Sequence, residues 1–201
     1  FNRDIVRINF DGKFDANGKD YLVDLYQKGY SVIPSISNIE EFSKLPEVDN
    51  YLLKPKNSYD GYGQRRGSKE YILSQFTPND IIQPMISFQS EVEFYFVGNE
   101  LQYAFEYVPN KLVERYEVKE YHYSSEEHFL AQTFADLNPD FNGVQRIDFL
   151  KQKDGTLLLL EIEDCAPYLN LEMLSEEKRE QFIANYKDMV YQCVKKYTKR
   201  R

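Results

Sequence analysis

The sequence predicts an α+β fold, because helical and strand-like apolar patterns both occur and the strand-like segments form hairpins. The clearest helix begins at Ser175, after which apolar residues recur on one face as far as Tyr197. The clearest hairpin joins residues 91–97 to residues 101–108 through Gly98-Asn99. Because no internal repeat or linker divides the 201 residues, we expect one compact unit.

The composition is that of a packed domain and excludes several classes of protein. Hydrophobic residues make up 42% of the chain, which excludes a disordered segment. The net charge of −8 argues against nucleic-acid binding, and no apolar run approaches the roughly 18 residues of a membrane helix. Cys165 and Cys193 are too few for a disulfide framework and predict a reducing compartment, the cytoplasm. The start at Phe1 rather than Met suggests a missing N-terminal part.

Caps, apolar spacing and helix breakers predict the remaining elements. They are a helix over 17–27 closed by Gly29, a strand over 30–34, a short helix capped by Asn38, a strand over 51–54 ended by Pro55, a strand over 81–86, and a helix that Ser124 and Glu127 cap and that runs to Leu137.

The most informative segment is a predicted hairpin of residues 144–150 and 157–163, with Asp154-Gly155 at its turn. Counting outward from a two-residue turn places four charged side chains on one face, and these are Arg146, Asp148, Glu161 and Glu163. In this register Asp148 lies opposite Glu161, and Arg146 lies opposite Glu163. The other face is apolar and suits a core, with Ile147, Phe149, Leu158, Leu160 and Ile162.

Two directly opposed carboxylates repel each other, and we expect a neighbouring group to offset that repulsion. Cβ atoms roughly 4.5–5.5 Å apart place them where they repel by about 3 kcal/mol at an effective dielectric near 20. A Mg²⁺ ion held by Asp148, Glu161 and Glu163 would make the interaction attractive, because Mg²⁺ prefers hard oxygen ligands. Arg146 would lie beside the metal. The alternative is a solvated acidic face on which Arg146 and Glu163 form an ordinary cross-strand ion pair.

A second candidate segment follows the predicted strand that ends at Lys54. Its glycines, including Gly61 and Gly63, would allow backbone amides to cover phosphates. Their spacing fits neither the P-loop nor the dinucleotide fingerprint. An exposed hairpin loop is the alternative.

Taken in chain order, these segments resemble the ATP-grasp superfamily, which includes glutathione synthetase, D-alanine ligases and glutamate-adding ligases. The resemblance covers most of the chain and is carried by Lys54-Pro55 with its glycine loop, Gln83-Pro84 followed by Glu91, Arg146-Ile147-Asp148 and Glu161-Ile162-Glu163. It implies two α+β lobes with antiparallel sheets that clamp ATP, at residues 1–80 and 81–201.

The resemblance also implies roles for individual residues in nucleotide binding. Lys54 and Lys19 match lysines that contact the phosphates, and Gly61 and Gly63 lie in the loop that covers them. Glu91 matches the carboxylate that binds the ribose hydroxyls. The adenine meets a hinge, mainly through backbone groups, and the hinge residues are Gln83, Pro84, Met85 and Ile86.

For the metal and the chemistry, the resemblance implies that Asp148, Glu161 and Glu163 bind Mg²⁺, with Mn²⁺ as a possible substitute. Arg146 matches the arginine that stabilises developing negative charge. The sequence departs from the family at Glu163, where Asn is common, and the additional negative charge could alter the metal preference.

The implied activity is that of an ATP-dependent carboxylate-amine ligase. A substrate carboxylate attacks the γ-phosphate to give an acylphosphate, and an amine then yields the amide, ADP and phosphate. The partners are ATP and small-molecule or peptide carboxylates and amines, with neither nucleic acid nor membrane. Many such ligases carry an additional N-terminal α/β domain, for which the sequence has no room before Lys19. A kinase of the same fold and a non-catalytic nucleotide-binding module are the alternatives.

Overall fold

The computed structural model describes residues 7–10, 12–58, 61–110 and 115–198. Within these ranges the chain forms two antiparallel sheets and four α-helices, which confirms the α+β prediction. The helices are α1 (Asp20–Gln27), α2 (Lys69–Gln75), α3 (Ser125–Ala135) and α4 (Glu176–Thr198). None of the helices in these ranges is long and apolar enough to span a membrane.

The two sheets differ in size. The small sheet consists of β1 (Tyr51–Pro55), β2 (Arg65–Gly67) and β3 (Asp80–Pro84), in the order β2-β1-β3. The large sheet consists of β4 (Ser90–Val97), β5 (Glu100–Asn110), β6 (Arg115–Glu120), β7 (Val144–Lys151) and β8 (Leu157–Glu163), in the order β6-β5-β4-β7-β8.

Local sequence signals determine where several helices begin and end. Gly29 follows α1 with a φ of +79°, a conformation that glycine adopts more readily than other residues. Ser124 and Glu127 form the predicted capping box at the start of α3. Asn38 caps a short helix as predicted, although Ile39–Lys44 is a 3₁₀ helix.

The prediction of a strand over 30–34 was wrong. Val32 makes a single bridge to Leu159 of the large sheet, and Ile36 makes a single bridge to Ile82 of the small sheet. The segment therefore crosses from one sheet to the other and cannot form a ladder with either. The elements β2, α2 and β6 were not predicted from the sequence.

The large sheet is covered unequally on its two faces. On one face α1 and α3 pack against strand residues such as Phe94 and Ile147. On the opposite face Phe182 of α4 packs beside Tyr95 and Tyr103. Because α4 covers only part of this face, the remainder is open toward the small sheet.

The predicted buried face of α4 is only partly buried. Phe182 and Cys193 are buried, whereas Ile183 and Val194 are exposed. The helical spacing identified the helix correctly, but it could not show how much of its apolar stripe a sheet would cover.

The pairing of β7 with β8 has the predicted charged partners but a different turn. Asp148 pairs with Glu161 and Arg146 pairs with Glu163, as predicted. Near the turn, however, Lys151 pairs with Leu157, one residue away from the partner that a two-residue turn requires. A β-bulge between Asp148 and its neighbour restores the predicted register.

The bulge exchanges the faces of the leucines in β8. Leu157 and Leu159 enter the core, not Leu158 and Leu160, so the prediction for these four residues was wrong. Leu160 lines the cleft between the sheets instead. The extra residue of a bulge shifts side-chain alternation by one, which the sequence pattern of four successive leucines could not reveal.

Packing joins residues on both sides of the predicted lobe boundary at residue 80. Strand β3 pairs along its length with β1, and α1 belongs to the core of the large sheet. A separate apolar cluster under the small sheet includes Ile36, Leu53 and Ile82. Ile81 of β3, by contrast, packs in the core of the large sheet, so the two cores meet within one strand and the lobe boundary stays a prediction.

Because of the bulge, replacing Leu158 or Leu159 by alanine should reduce the stability of the fold by unequal amounts. Leu159→Ala should destabilise the chain by about 3 kcal/mol, because it removes a fully buried side chain. Leu158→Ala should cost about 1 kcal/mol or less, because Leu158 is only partly buried. Denaturant unfolding of both variants measures the difference, and equal losses would contradict the assigned register.

Candidate functional site

A cleft of about 1080 Å³ lies between the two sheets. Its size is at the upper end of ordinary small-molecule sites. Lys54 of β1 and Gln83 of β3 face it from the small sheet, and Glu91, Arg146 and Glu161 face it from the large sheet. Residues from distant parts of the sequence therefore share one cavity.

Part of the cleft wall is apolar. Leu52, Leu150 and Leu160 contribute to it from the two sheets, and Ile33, Met85 and Ile86 contribute from segments outside the strands. Gln83 is a buried polar side chain in the same wall. Its Nε2 donates to Ser35 Oγ at 2.8 Å, and Ser35 Oγ donates to the Ile33 carbonyl at 2.8 Å. Apolar walls with a few fixed polar groups are typical of sites for flat organic ligands.

Arg146 is held by carboxylates on three strands. Its Nε and one terminal nitrogen each donate to an Asp148 oxygen at 2.8 Å, which makes a bidentate ion pair. The same nitrogen lies 3.1 Å from Glu163 and 3.7 Å from Glu93. Burial lowers the pKa of Arg146, but Asp148 and the other carboxylates raise it by more, so the guanidinium stays charged.

Lys19 and Lys54 provide the other buried cations of the cleft. Lys19 Nζ bonds to Asp15 and lies 2.9 Å from Glu161 Oε2. Burial lowers the pKa of Lys19, but Glu161 and Asp15 more than offset this and raise it overall. Burial also lowers the pKa of Lys54, and Glu161 only partly opposes the shift.

Negative charge is in excess around these three cations. Among the described residues, six carboxylates interact across the cleft, and they are Asp15, Glu91, Glu93, Asp148, Glu161 and Glu163. Burial, together with Glu93 and Glu161, raises the pKa of Glu91 to about 7. Burial also raises the pKa of Glu163 to about 7, with a contribution from Glu161 and against the opposing effect of Arg146. The site is therefore suited to additional positive charge.

The acidic side chains are close enough to share a metal ion. One oxygen each from Asp148, Glu161 and Glu163 lies within 4.8 Å of the others. An all-oxygen donor set is suited to Mg²⁺ or Mn²⁺. The ion pair between Arg146 and Glu163, which the alternative interpretation predicted, is also present. The location of the hairpin in a large cleft is what favours a binding role over a solvated face.

Almost all of the residues selected from the sequence line this cleft, and they are Lys19, Lys54, Gly61, Gln83, Pro84, Met85, Ile86, Glu91, Arg146, Glu161 and Glu163. Asp148 lies behind Arg146 and is fully buried. Gly63 is not among the lining residues. Gly61 and Gly63 have φ angles of +69° and +75°, which a loop of L residues would rarely adopt.

Three residues that support the site were not predicted from the sequence. Asp15 lines the cleft beside Lys19, and Tyr21 donates a hydrogen bond of 2.6 Å to Asp15. The buried carboxylate of Asp164 accepts hydrogen bonds from backbone amides near the start of the described chain. Asp164 directly follows the acidic strand, and Asp15 lies four residues before Lys19, a spacing that does not by itself indicate a buried ion pair. Tyr21 has no local signal for its contact with the acidic strand, because Ile162 is more than a hundred residues away.

Several solved structures resemble the chain, although no model of a known protein family and no curated protein matches it. D-cycloserine synthetase DcsG has a TM-score of 0.65 and 17% identity, over 90% of this chain and 71% of that one. The ATP-grasp ligase PsnB, complexed with a phosphomimetic variant of its minimal precursor, Mg and ADP, has a TM-score of 0.60 and 17% identity, over 83% and 57%. D-alanine–D-alanine ligase from Bacillus anthracis, complexed with ATP, has a TM-score of 0.64 and 13% identity, over 91% and 67%.

Identities at this level show a shared fold. The chain spans between 57% and 71% of the lengths of these three proteins. Each of the three matches covers more than four-fifths of this chain.

The raised pKa of Glu91 predicts a pH-dependent stability in the absence of metal. A folded-state pKa of about 7, above the ordinary 4.5, means that folding favours the protonated form. This stabilisation is present in full below about pH 4.5 and is lost as the pH rises through 7. The melting temperature should fall between pH 5 and pH 8, and Glu91→Gln should reduce the fall. Glu117→Gln, on an exposed position of β6, is the control, and equal pH profiles for both variants would contradict the prediction.

Proposed function

We propose that this chain, which has the ATP-grasp fold, is an ATP- and Mg²⁺-dependent ligase that joins a carboxylate to an amine. One observation carries the proposal: a single cleft brings the buried lysines Lys19 and Lys54 together with Glu161 and Glu163, whose oxygens lie within 4.8 Å of each other and of one oxygen of the buried Asp148. The similar solved structures support it, because they are described as ligases and synthetases, and some contain ATP, ADP or Mg.

In the proposed complex, the adenine lies against the apolar wall at the hinge formed by Gln83, Pro84, Met85 and Ile86. Glu91 binds the ribose hydroxyls. Lys54, Lys19 and the amides of the loop containing Gly61 and Gly63 contact the phosphates. This arrangement matches apolar surface to the base and positive charge to the phosphates.

Asp148, Glu161 and Glu163 hold Mg²⁺ in the proposed complex, and Mn²⁺ can replace it. Both Asp148 oxygens already accept from Arg146, but each carboxylate oxygen has a further lone pair for a metal. The metal neutralises charge on the transferred phosphoryl group and relieves the excess of carboxylates in the cleft.

The proposed chemistry depends on positioning and charge rather than on a protein nucleophile. The substrate carboxylate attacks the γ-phosphorus, the bond to the bridging oxygen breaks, and ADP leaves. The amine then attacks the acyl carbon, loses a proton and displaces phosphate. Arg146 stabilises the negative charge that develops on the transferred group, because its orientation is fixed by Asp148.

Two other functions remain alternatives for the same site. A kinase would stop at a stable phosphorylated product, and a non-catalytic module would bind nucleotide without releasing ADP. A cytoplasmic location is a further part of the proposal, supported by two cysteines that are both free.

Mg²⁺ and ATP together should stabilise the folded chain. At a ligand concentration of about 100 times Kd, binding contributes about 2.7 kcal/mol, which raises the Tm by roughly 5–10 °C in a domain of this size. Glu161→Gln should remove most of the rise, whereas Glu117→Gln should retain it. Differential scanning fluorimetry measures the shift, and an undiminished shift in Glu161→Gln would contradict the assigned metal site.

Hydroxylamine should distinguish the ligase from its alternatives. In a screen of carboxylates with ATP and Mg²⁺, it should trap the acylphosphate as a hydroxamate, with one ADP and one phosphate released. Glu161→Gln should lower the rate by at least about a hundredfold. A stable phosphorylated product without hydroxamate would favour the kinase, and release of AMP would contradict ADP-forming chemistry.

A further inference from the structure

Lys19 is held in the cleft by two carboxylates, one from a nearby residue in the sequence and one from the acidic strand. Its Nζ bonds to Asp15, four residues earlier in the chain, and to Glu161 of β8 at 2.9 Å. Only 5% of the Lys19 side chain and 10% of the Asp15 side chain are exposed. The ammonium group therefore has a fixed position.

Asp15 is itself held by a buried tyrosine. The Tyr21 hydroxyl donates to Asp15 Oδ1 at 2.6 Å, and its oxygen accepts the Ile162 N–H at 2.7 Å. Ile162 lies between Glu161 and Glu163 in the strand. Burial, and then the charge of Asp15, raise the pKa of Tyr21 well above its ordinary value, so the hydroxyl remains a donor. A chain of hydrogen bonds thus joins the acidic strand to Lys19.

The backbone on either side of Asp15 is tied to the same strand. The amides of Phe14 and Ala16 donate to the two oxygens of Asp164, at 2.8 and 3.0 Å. A Cβ on Gly12 would lie 2.7 Å from the Asp164 carboxyl, so the close approach requires glycine there. Asp164 directly follows Glu163, so these hydrogen bonds anchor the turn that carries Asp15 at the end of β8.

Glu161 and Asp15, the two anchors of Lys19, differ in their other partners. Glu161 is also a proposed metal ligand, and a carboxylate that coordinates a cation is a weaker partner for an ammonium group. Both oxygens of Asp15, by contrast, are directed at Lys19 and Tyr21. Asp15 is the anchor that remains when Glu161 engages a metal.

From this arrangement we propose that Asp15 and Tyr21 are positioning residues that hold Lys19 against the nucleotide phosphates. The proposal rests on the proposed function, because it takes ATP as the ligand of the cleft. It assigns to Asp15 a role that its charge alone would not suggest.

The two possible roles of Asp15 predict opposite changes in ATP affinity when its charge is removed. The cleft already contains more carboxylates than cations, so removing one should by simple electrostatics tighten the binding of an anion. If Asp15 instead positions Lys19, removing its charge should weaken the binding of ATP. Tyr21→Phe tests the same role without any change of charge.

The experiment compares Mg²⁺-ATP with adenosine, which lacks the phosphates, by ligand-observed NMR titration of the 201-residue chain. Asp15→Asn should weaken Mg²⁺-ATP binding about tenfold, as expected for a lost hydrogen bond to a charged group. Tyr21→Phe should weaken it about threefold to fivefold, because Asp15 keeps its ion pair with Lys19. Adenosine affinity should stay within about twofold in both variants, since the base and ribose contacts are unchanged.

Tyr26→Phe is the matched control, because it removes a tyrosine hydroxyl from the same helix. That hydroxyl donates to the Lys44 carbonyl at 2.8 Å, outside the cleft. This variant should bind both ligands as the wild type does. A general loss of stability in any variant would lower both affinities together, which separates it from a loss specific to the phosphates.

The outcomes separate the two proposals. If the wild type does not bind Mg²⁺-ATP, the proposed function fails, and the positioning role fails with it. If the wild type binds but Tyr21→Phe keeps full ATP affinity, or Asp15→Asn binds ATP more tightly, the positioning role is wrong and the proposed function stands. Should Asp15→Asn not fold, the result for Tyr21→Phe decides alone.

Discussion

The antiparallel pairing of β7 with β8 is the constraint on which the site depends. It places Asp148 opposite Glu161 and Arg146 opposite Glu163 on the face that α4 leaves open. A register shifted by one residue would turn these side chains into the apolar core, where unpaired charges are very costly. The bulge near Leu160 permits this pairing despite the longer turn, and it also directs an additional leucine into the cleft.

The balance of charge in the cleft explains how these residues remain together without a metal. Arg146 neutralises Asp148, and Lys19 neutralises Glu161, so the most deeply buried carboxylates have partners. Burial nevertheless raises the pKa values of Asp15 and Asp148, and it raises those of Glu91 and Glu163 to about 7, with a smaller contribution from neighbouring carboxylates. The cleft is therefore organised in advance for a cation and an anion together, which is what a metal-bound nucleotide supplies.

Sequence patterns predicted the features that depend on near neighbours. The cap formed by Ser124 and Glu127, the turn after α1 and the opposed charges of the acidic hairpin all follow from short spacings. The pairing of Asp148 with Glu161 was nevertheless correct because two errors cancelled: the turn is longer than predicted, and a bulge compensates. Tyr21 could not be found, since its hydroxyl meets Ile162 only when α1 folds against β8. Asp15 has the spacing of a local ion pair with Lys19, but its burial in the cleft also depends on the fold. Long-range packing, not local propensity, determines such contacts.

The most direct test of a metal-nucleotide site between the sheets is a crystal structure with Mn²⁺ and a non-hydrolysable ATP analogue, with the metal located by its anomalous scattering. We predict an anomalous peak within coordination distance of Glu161 and Glu163, with the phosphates between that metal and Lys54. A nucleotide bound outside the cleft, or a peak remote from the acidic strand, would contradict the assignment.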